Sequence, residues 1–403
     1  MMVDLRARHG GVFPQTPRVV FALSARRFLP IRIGWIKDAG EPARRAARQI
    51  GRLRPRAVRL LCAAFLPVLL SLQTIAAPPA TDTDSASHLS WQTPEANEAI
   101  TQGLSYLVQR QRDDGSFGTG GYARNVGVCS LAGMAFLASG STPGRGPYAH
   151  QIDLCIEYLL AHTSADGFIA AADATSRGPM YGHGFGTLFL CEVYGMAEQP
   201  DLRDKLGAAI EIIVNAQNAE GGWRYQPEAK DADISVTVCQ VMALRAARNA
   251  GITVPRETID RSIAYVKACQ NADGGFRYML SVEQSADSQF ARSAAGVVAL
   301  YNAGIYEGPE IENGLAYLLE FLPEKNPTGR DAYYFYGQYY ASQAMWHAGG
   351  ASWRQWFPAI RDELVARQRS DGSWMDAICA EYGTAMASIV LQVPNNYLPI
   401  LQR

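Results

Sequence analysis

One turn phrase recurs along this chain at a near-constant interval, and that interval limits the possible folds more than any other feature. Its best copies are Gln111-Arg-Asp-Asp-Gly115-Ser-Phe117, Gln217-Asn-Ala-Glu-Gly221-Gly-Trp223, Gln270-Asn-Ala-Asp-Gly274-Gly-Phe276 and Gln368-Arg-Ser-Asp-Gly372-Ser-Trp374. Asp166-Gly167-Phe168 reads as a weaker copy. From Gly115 to Gly274 the glycines lie 52, 54 and 53 residues apart, and the next interval, 98, is close to two periods. One more unit, fifth in chain order and bringing the total to six, with a degraded turn near Gly329-Arg330-Asp331, is expected to fill it. A period of this size marks a repeat architecture, in which each unit buries its apolar face only against its neighbours.

Each period supplies two helix-length segments. In the third, Ala209–Gln217 and Ser235–Arg248 both carry apolar residues at i, i+3 and i+4. The second segments end on glycine, at Gly140, Gly195, Gly251, Gly304 and Gly349, as a left-handed position just past a helix requires. No window alternates apolar and polar residues long enough for a strand. The expectation is an all-α chain of about twelve helices in six pairs. Within the turn, glycine is expected to close the first helix, and the acidic residue before it to hydrogen-bond the backbone. The aromatic ring should fold back onto neighbouring helix ends, with the Gln amide bonding locally.

The N-terminus is of another kind. Residues 1–59 hold fourteen Lys/Arg against three Asp/Glu, while the chain as a whole carries a net charge of −1. The body is therefore acidic, and no nucleic-acid face is expected on it. An apolar run, Leu60–Leu72, follows Arg52, Arg54, Arg56 and Arg59 and precedes Ala76 and Ala77. That order is an export signal's, and the run is shorter than a spanning helix needs. Residues 60–77 are expected to be a signal peptide, with a membrane anchor as the alternative. Residues 1–59 form a basic extension whose translation is in question, because no Met lies between Met2 and Met134 and a start near Leu53 or Val58 would give a normal signal. Residues 78–93 read as a disordered linker, and 94–401 as the folded domain of an exported protein. Outside the signal, six cysteines (129, 155, 191, 239, 269 and 379) show no metal-ligand spacing and read as small core residues, with disulfides open to an exported protein.

The turns resemble the QW motifs of the terpenoid-cyclase and protein-prenyltransferase β-subunit superfamily, over nearly all of residues 95–401. The closest likeness is to the squalene–hopene-cyclase C-terminal domain and to exported prenyltransferase/squalene-oxidase-repeat proteins. The resemblance implies an α/α toroid of six helix pairs, with the second helix of each pair inside. Squalene–hopene cyclases carry two toroids, and this chain has room for one.

In such a ring the starts of the inner helices crowd one mouth. The candidates there are Arg124, Tyr181, His183, Asp231, Asp233, Asp287, Arg292, Tyr333, Tyr334, Tyr336, Glu381 and Tyr382, with Tyr339 and Tyr340 further along. Asp231-Ala-Asp233-Ile234 stands where the cyclases place Asp-x-Asp-Asp, so the resemblance makes Asp233 the acid and Asp231 its partner. Ile234 replaces the last Asp, and Asp233 is equally placed to be an ordinary helix N-cap. An apolar cavity would keep such an acid protonated. The tyrosine run suits cation–π stabilisation of a carbocation, or packing against the degraded fifth turn. His183 suits loop packing as well as ligand contact. The prenyltransferase zinc site needs a Cys near Asp231–Asp233 or Asp287–Gln289, and none is present, so no metal and no cofactor is expected. Nor is there a nucleophile elbow, a P-loop or a thioester motif.

Three functions follow. One is a cyclase-like enzyme or binder with an apolar cavity for an isoprenoid or other lipid, with acid-initiated cyclisation at Asp233. The second is a non-catalytic envelope protein that binds a lipid, peptide or partner, with membrane association open. Export favours it, because isoprenoid diphosphates are made inside the cell. The third is a glycan-active toroid pairing Asp233 with Glu381 or Asp287.

Overall fold

A computed structural model of the chain describes residues 91–171, 178–326 and 333–402. The basic extension, the 60–77 segment, the 78–90 part of the linker and the Gly329-Arg330-Asp331 turn lie outside the described residues. Among the described residues twelve α-helices run in chain order, with only isolated β-bridges between them. They are α1 (Pro94–Arg110), α2 (Val126–Ala138), α3 (Ala149–Ala161), α4 (Pro179–Val193), α5 (Leu202–Asn215), α6 (Ile234–Asn249), α7 (Arg256–Ala268), α8 (Phe290–Ala303), α9 (Pro309–Leu319), α10 (Tyr334–Ala348), α11 (Gly350–Arg367) and α12 (Ala380–Gln392). No helix among the described residues is long and apolar enough to cross a membrane.

The even-numbered helices are buried along nearly their whole length, and the odd-numbered ones along a single stripe. On α5 that stripe is Leu202, Leu206, Ala209, Ile210 and Ile213, the spacing of a helix with one apolar face. Burial on all sides sorts the even helices into an inner layer. Each inner helix packs on the next, from α2 through α4, α6, α8 and α10 to α12, and α12 packs back on α2. The ring is closed, and its fold is an α/α toroid of six helix pairs.

The repeated turn does more than bond locally. Gln111 Nε2 donates to Gly115 O at 3.2 Å and to Gln151 O of α3 at 3.0 Å. Gln217 bridges Gly221 O and Thr258 O of α7, at 2.8 and 2.9 Å, and Gln270 bridges Gly274 O and Glu310 O of α9, at 3.0 and 2.9 Å. One amide thus holds its own turn and the outer helix of the following unit. In the sixth unit the following helix is the first. Gln368 Nε2 donates to Gly372 O at 2.9 Å and to Ala99 O of α1 at 2.8 Å.

The turn glycine does not close the outer helix, which ends several residues earlier. It is required for close approach. At Gly372, with φ +84°, a Cβ would stand 2.7 Å from Gln102 O of α1. The other turn glycines meet the backbone of α3, α5, α7 and α9 in the same way. The aromatic slot is fully buried at Phe117, Trp223, Phe276 and Trp374. Both indoles donate to the end of the preceding outer helix, Trp223 to Ile213 O and Trp374 to Leu364 O. In the second unit that slot holds Ile169, not Phe168: Ile169 is buried and Phe168 is only half-buried. The glutamine position there is Thr163, whose hydroxyl turns back to Leu159 O.

The C-terminal tail covers the end of the ring where the inner helices finish. Leu398, Ile400 and Leu401 are buried, and the turn Pro399–Leu401 packs on α6 and α10. Ile400 N donates to Glu192 Oε2 of α4 at 3.2 Å, and Trp346 Nε1 of α10 donates to Leu401 O at 3.1 Å. Burial raises the Glu192 carboxyl to about 7, against the opposing effect of that amide.

Closure at one amide and one glycine predicts two sensitive positions at the seam. Gly372→Ala combines a left-handed backbone with a clash against α1, and should cost roughly 2–4 kcal/mol. Gln368→Ala removes one hydrogen bond across the seam and one within its own turn, and should cost roughly 1–3 kcal/mol. Urea unfolding followed by circular dichroism reads both. A Gly372→Ala protein as stable as wild type would mean that the seam does not depend on this contact.

Candidate functional site

The chemistry-bearing side chains gather where the inner helices begin. The third turn delivers Trp223, Arg224 and Tyr225, and then the loop to α6. Trp223 N donates to Thr237 Oγ1 at 3.1 Å, and Asp233 N donates to Trp223 O at 2.9 Å. These bonds fix Asp233 at the N-cap of α6, where Oδ1 accepts from Val236 N at 2.8 Å. The carboxylate is fully buried. Its Oδ2 has no hydrogen-bond partner by strict geometry, with Arg224 Nε at 3.6 Å. Burial raises its pKa to about 6, and the Val236 amide, the Arg224 charge and the Tyr278 hydroxyl limit the rise.

Tyrosines wall this acid. Tyr225 and Tyr278 join hydroxyls at 2.5 Å, and Tyr181 stands 6.2 Å from Tyr225, ring to ring. Arg224 lies over Tyr225 at 4.8 Å and over Tyr278 at 5.9 Å, and Arg292 lies over Tyr278 at 6.0 Å. Burial, then the Asp233 charge, hold the Tyr181 and Tyr278 hydroxyls well above the usual phenol range. The wall is tied to the scaffold by its backbone. Tyr225 O accepts from Met180 N of α4, and Tyr278 O accepts from Ile234 N of α6.

Deeper in the ring, α10 reaches across. Tyr336 donates to Ser235 O of α6 at 2.9 Å, and the Tyr340 hydroxyl lies 3.2 Å from Cys239 Sγ of α6. Tyr339 meets Phe185 of α4, the helix opposite, with centroids 6.3 Å apart. Aromatic side chains bridge the interior at this level.

The remaining sequence candidates separate. Asp231 is exposed and pairs with Arg224 at 2.8 Å. Asp287 is exposed and pairs with the nearly buried Arg292 at 3.2 Å; hydrogen bonding from Gln289, then Arg292, lowers its pKa. Arg124 pairs with Asp114 at 3.1 Å. Glu381 is buried, held by Arg110 Nε and Thr119 Oγ1, each at 3.2 Å. Tyr382 is buried at the start of α12. The tyrosine run divides: Tyr333 is 72% exposed, Tyr334 lies under Arg367 at 4.2 Å, and only Tyr336, Tyr339 and Tyr340 enter the central cluster.

His183 holds the second unit together. Its Nδ1 accepts from Ile169 N at 3.2 Å, and its Nε2 donates to Ala209 O of α5 at 3.1 Å. It therefore ties this turn to the next outer helix, the link that glutamine makes in the other described turns and Thr163 does not. Burial lowers its pKa to about 4.

Sequence reading passed over Arg224, Tyr225, Tyr278 and Asp376. Tyr225 and Tyr278 carried a signal, since each stands two residues after a turn aromatic. The six cysteines outside the 60–77 segment are buried and free. Among the described residues no cluster of three His, Cys, Asp or Glu could hold a metal.

A family profile described as the prenyltransferase alpha-alpha toroid domain matches residues 187–322, the stretch that carries Arg224, Asp233 and Tyr278. Drimenyl diphosphate synthase of Streptomyces showdoensis is 27% identical over 180 residues, 44% of this chain and 32% of that enzyme. The chain thus spans about a third of the length of that curated relative. The type II terpene cyclase MstE from Scytonema superposes with a TM-score of 0.53 at 16% identity, over 75% of this chain and 99% of that one. Cellobiose 2-epimerase from Bacillus thermoamylovorans superposes at 0.55 with 12% identity, over 75% and 99%. The fold is therefore an α/α toroid, shared with a type II terpene cyclase and with a cellobiose 2-epimerase. Within it, residues 187–322 are similar to the prenyltransferase alpha-alpha toroid domain.

His183 gives a pH signature. Unfolded, the imidazole takes up a proton as pH falls through about 6.5; folded, it stays neutral down to about 4. Its contribution to stability is full above the first value and is lost toward the second, by roughly 3 kcal/mol. Asp233 and Glu192, both raised, act in the opposite sense and are common to wild type and variant. The stability advantage of wild type over His183→Gln should therefore shrink between pH 7 and pH 4.5 in urea titrations. An advantage independent of pH would mean that the ring does not stay neutral in the fold.

Proposed function

We propose that this toroid takes an isoprenoid-class apolar ligand at its tyrosine-walled mouth and protonates it through Asp233. The observation that carries the reading is the Asp233 carboxyl itself: buried at the start of the third inner helix, raised to about 6, with Oδ2 accepting no hydrogen bond and facing Arg224 Nε at 3.6 Å among tyrosines. In its protonated form, Oδ2 would deliver the proton to an alkene carbon. The alkene's π electrons form the new C–H bond, the carboxylate keeps the O–H pair, and a carbocation remains on the neighbouring carbon. Tyr181, Tyr225 and Tyr278 then offer ring faces to the cation, and Arg224 stabilises the carboxylate left behind. MstE supports the ligand class, since structures of it hold geranylgeranyl dihydroxybenzoate, described as its substrate, and merosterolic acid A, described as its product. Export, the expectation from residues 60–77, points to a ligand available outside the cytoplasm.

A second reading, binding without chemistry, draws on the interior. Tyr339 of α10 already meets Phe185 of α4 across the ring, and Arg224 favours the ionised form of Asp233.

The test incubates the purified protein with squalene, farnesyl diphosphate and geranylgeranyl diphosphate and reads products by mass spectrometry. Asp233→Asn keeps the N-cap and should stay within about 1 kcal/mol of wild type in stability. It should lose product by about 10²-fold or more. Because the acid form acts, product formation by wild type should rise as pH falls from 8 toward 6 and level off below. Binding without product from any substrate supports the second reading, and product unchanged in the variant removes Asp233 from the chemistry.

A further inference from the structure

The ring has a second place to hold a ligand, at the seam where its first and last repeats meet. A cavity of about 600 Å³ opens between the end of α1, the loop Thr119–Tyr122 and the segment Arg369–Ala380 that leads into α12. A second cavity of about 410 Å³ adjoins it and shares Arg369, Met375, Asp376 and Ala377. Neither is lined by Asp233.

The charges in this groove are unevenly committed. Arg110, in the lining, is paired with the buried Glu381 behind it. Asp371 Oδ1 accepts from Ser373 N at 3.1 Å and from Ser373 Oγ at 2.6 Å. Asp376 Oδ1 accepts from Ile378 N at 2.8 Å. The two acids in the lining are thus hydrogen-bonded within their own segment, and Asp371 also feels the charge of Arg369. Arg369, exposed and common to both cavities, makes no ion pair among the described residues. Two further features favour an anion beside it. Gly120 and Gly121 present bare Cα atoms to open space, so a ligand can approach their backbone closely. The N-terminus of α12 also borders the cavity, and its cap, Cys379, makes no side-chain hydrogen bond to it. The remaining walls are apolar or aromatic, with Tyr106, Ile378 and Met375, whose side chain is 56% exposed. An apolar chain would cover that exposed surface.

We propose that the seam groove binds the phosphoryl head of an isoprenoid amphiphile, with Arg369 as the cation for the head and Met375 and Ile378 as walls for the chain. The ligand class rests on the isoprenoid reading above; the site does not rest on protonation by Asp233. Such a ligand touches the first and last repeats together and binds only the closed ring, so it stabilises the fold by mass action.

The test measures binding by calorimetry, and thermal stability alongside, for farnesyl diphosphate, farnesol and inorganic diphosphate on the full chain. Wild type should bind farnesyl diphosphate at least tenfold more tightly than either of the other two, with a rise in melting temperature. Arg369→Ala should weaken farnesyl diphosphate at least tenfold and leave farnesol within twofold. Arg369→Lys should recover part of the loss, and Arg256→Ala on the outer surface should change nothing. Full affinity in Arg369→Ala overturns the proposal, as does inorganic diphosphate binding as tightly as the farnesyl compound. Arg369-dependent binding without any product leaves this site standing while the cyclase reading falls. No binding of either farnesyl compound overturns the seam site and leaves the cyclase reading to its own test with squalene and geranylgeranyl diphosphate.

Discussion

The structure depends on one amide shared between two carbonyls. A helix pair cannot bury its apolar stripe alone, and a row of such pairs leaves an unpaired pair at each end. The glutamine of each intact turn resolves this by holding its own glycine carbonyl and a carbonyl of the following outer helix. The glycine makes the reach short enough, because only a bare Cα lets the two backbones approach. At Gln368 the partner is the first helix, so the device that spaces the repeats also ends the series without a cap. Where glutamine is missing, His183 makes the link from the inner layer, a cost in burial that lowers the basicity of the ring nitrogen.

Asp233 serves two physical demands at one atom pair. Oδ1 satisfies the first turn of α6, which a helix start needs from some side chain. Oδ2 is left in a dry, aromatic setting where the charged form is disfavoured. Arg224 moderates that, 3.6 Å away and itself stacked on Tyr225 and Tyr278. Capping and a raised carboxyl pKa are therefore compatible at the same residue, because they involve different oxygens. The guanidinium and the tyrosine pair determine how much of the carboxyl is neutral at a given pH.

Much of the fold was legible in the sequence, and less of the site. The glycine period, the apolar spacing and the terminal glycines gave the helix pairs, while the inner and outer layers and the closed ring followed only from the resemblance of the turns to QW motifs. The reach of Gln368 to Ala99 was not legible, since nothing local in a turn says which carbonyl lies across from it. Register was the weak point in the second unit. The sequence offers Phe168 for the aromatic slot, but packing selects Ile169, one residue on, because the slot is defined by its distance from the glycine. In the site, Asp233 stood out by the likeness of Asp231-Ala-Asp233 to the cyclases' Asp-x-Asp-Asp, and its place before a helix pointed to the N-cap that it makes. Arg224, Tyr225 and Tyr278 did not stand out, because their importance comes from two neighbouring units converging in space. The tyrosine run read as one feature, yet helical periodicity sends Tyr336, Tyr339 and Tyr340 inward while Tyr333 precedes the helix and stays outside.

The C-terminal tail gives the ring a direction. With Ile400 held by Glu192 of α4 and Leu401 by Trp346 of α10, one end of the cylinder is stoppered by the chain's own last residues. Any ligand of the kind proposed would then have to arrive and leave at the opposite end, where the inner helices begin.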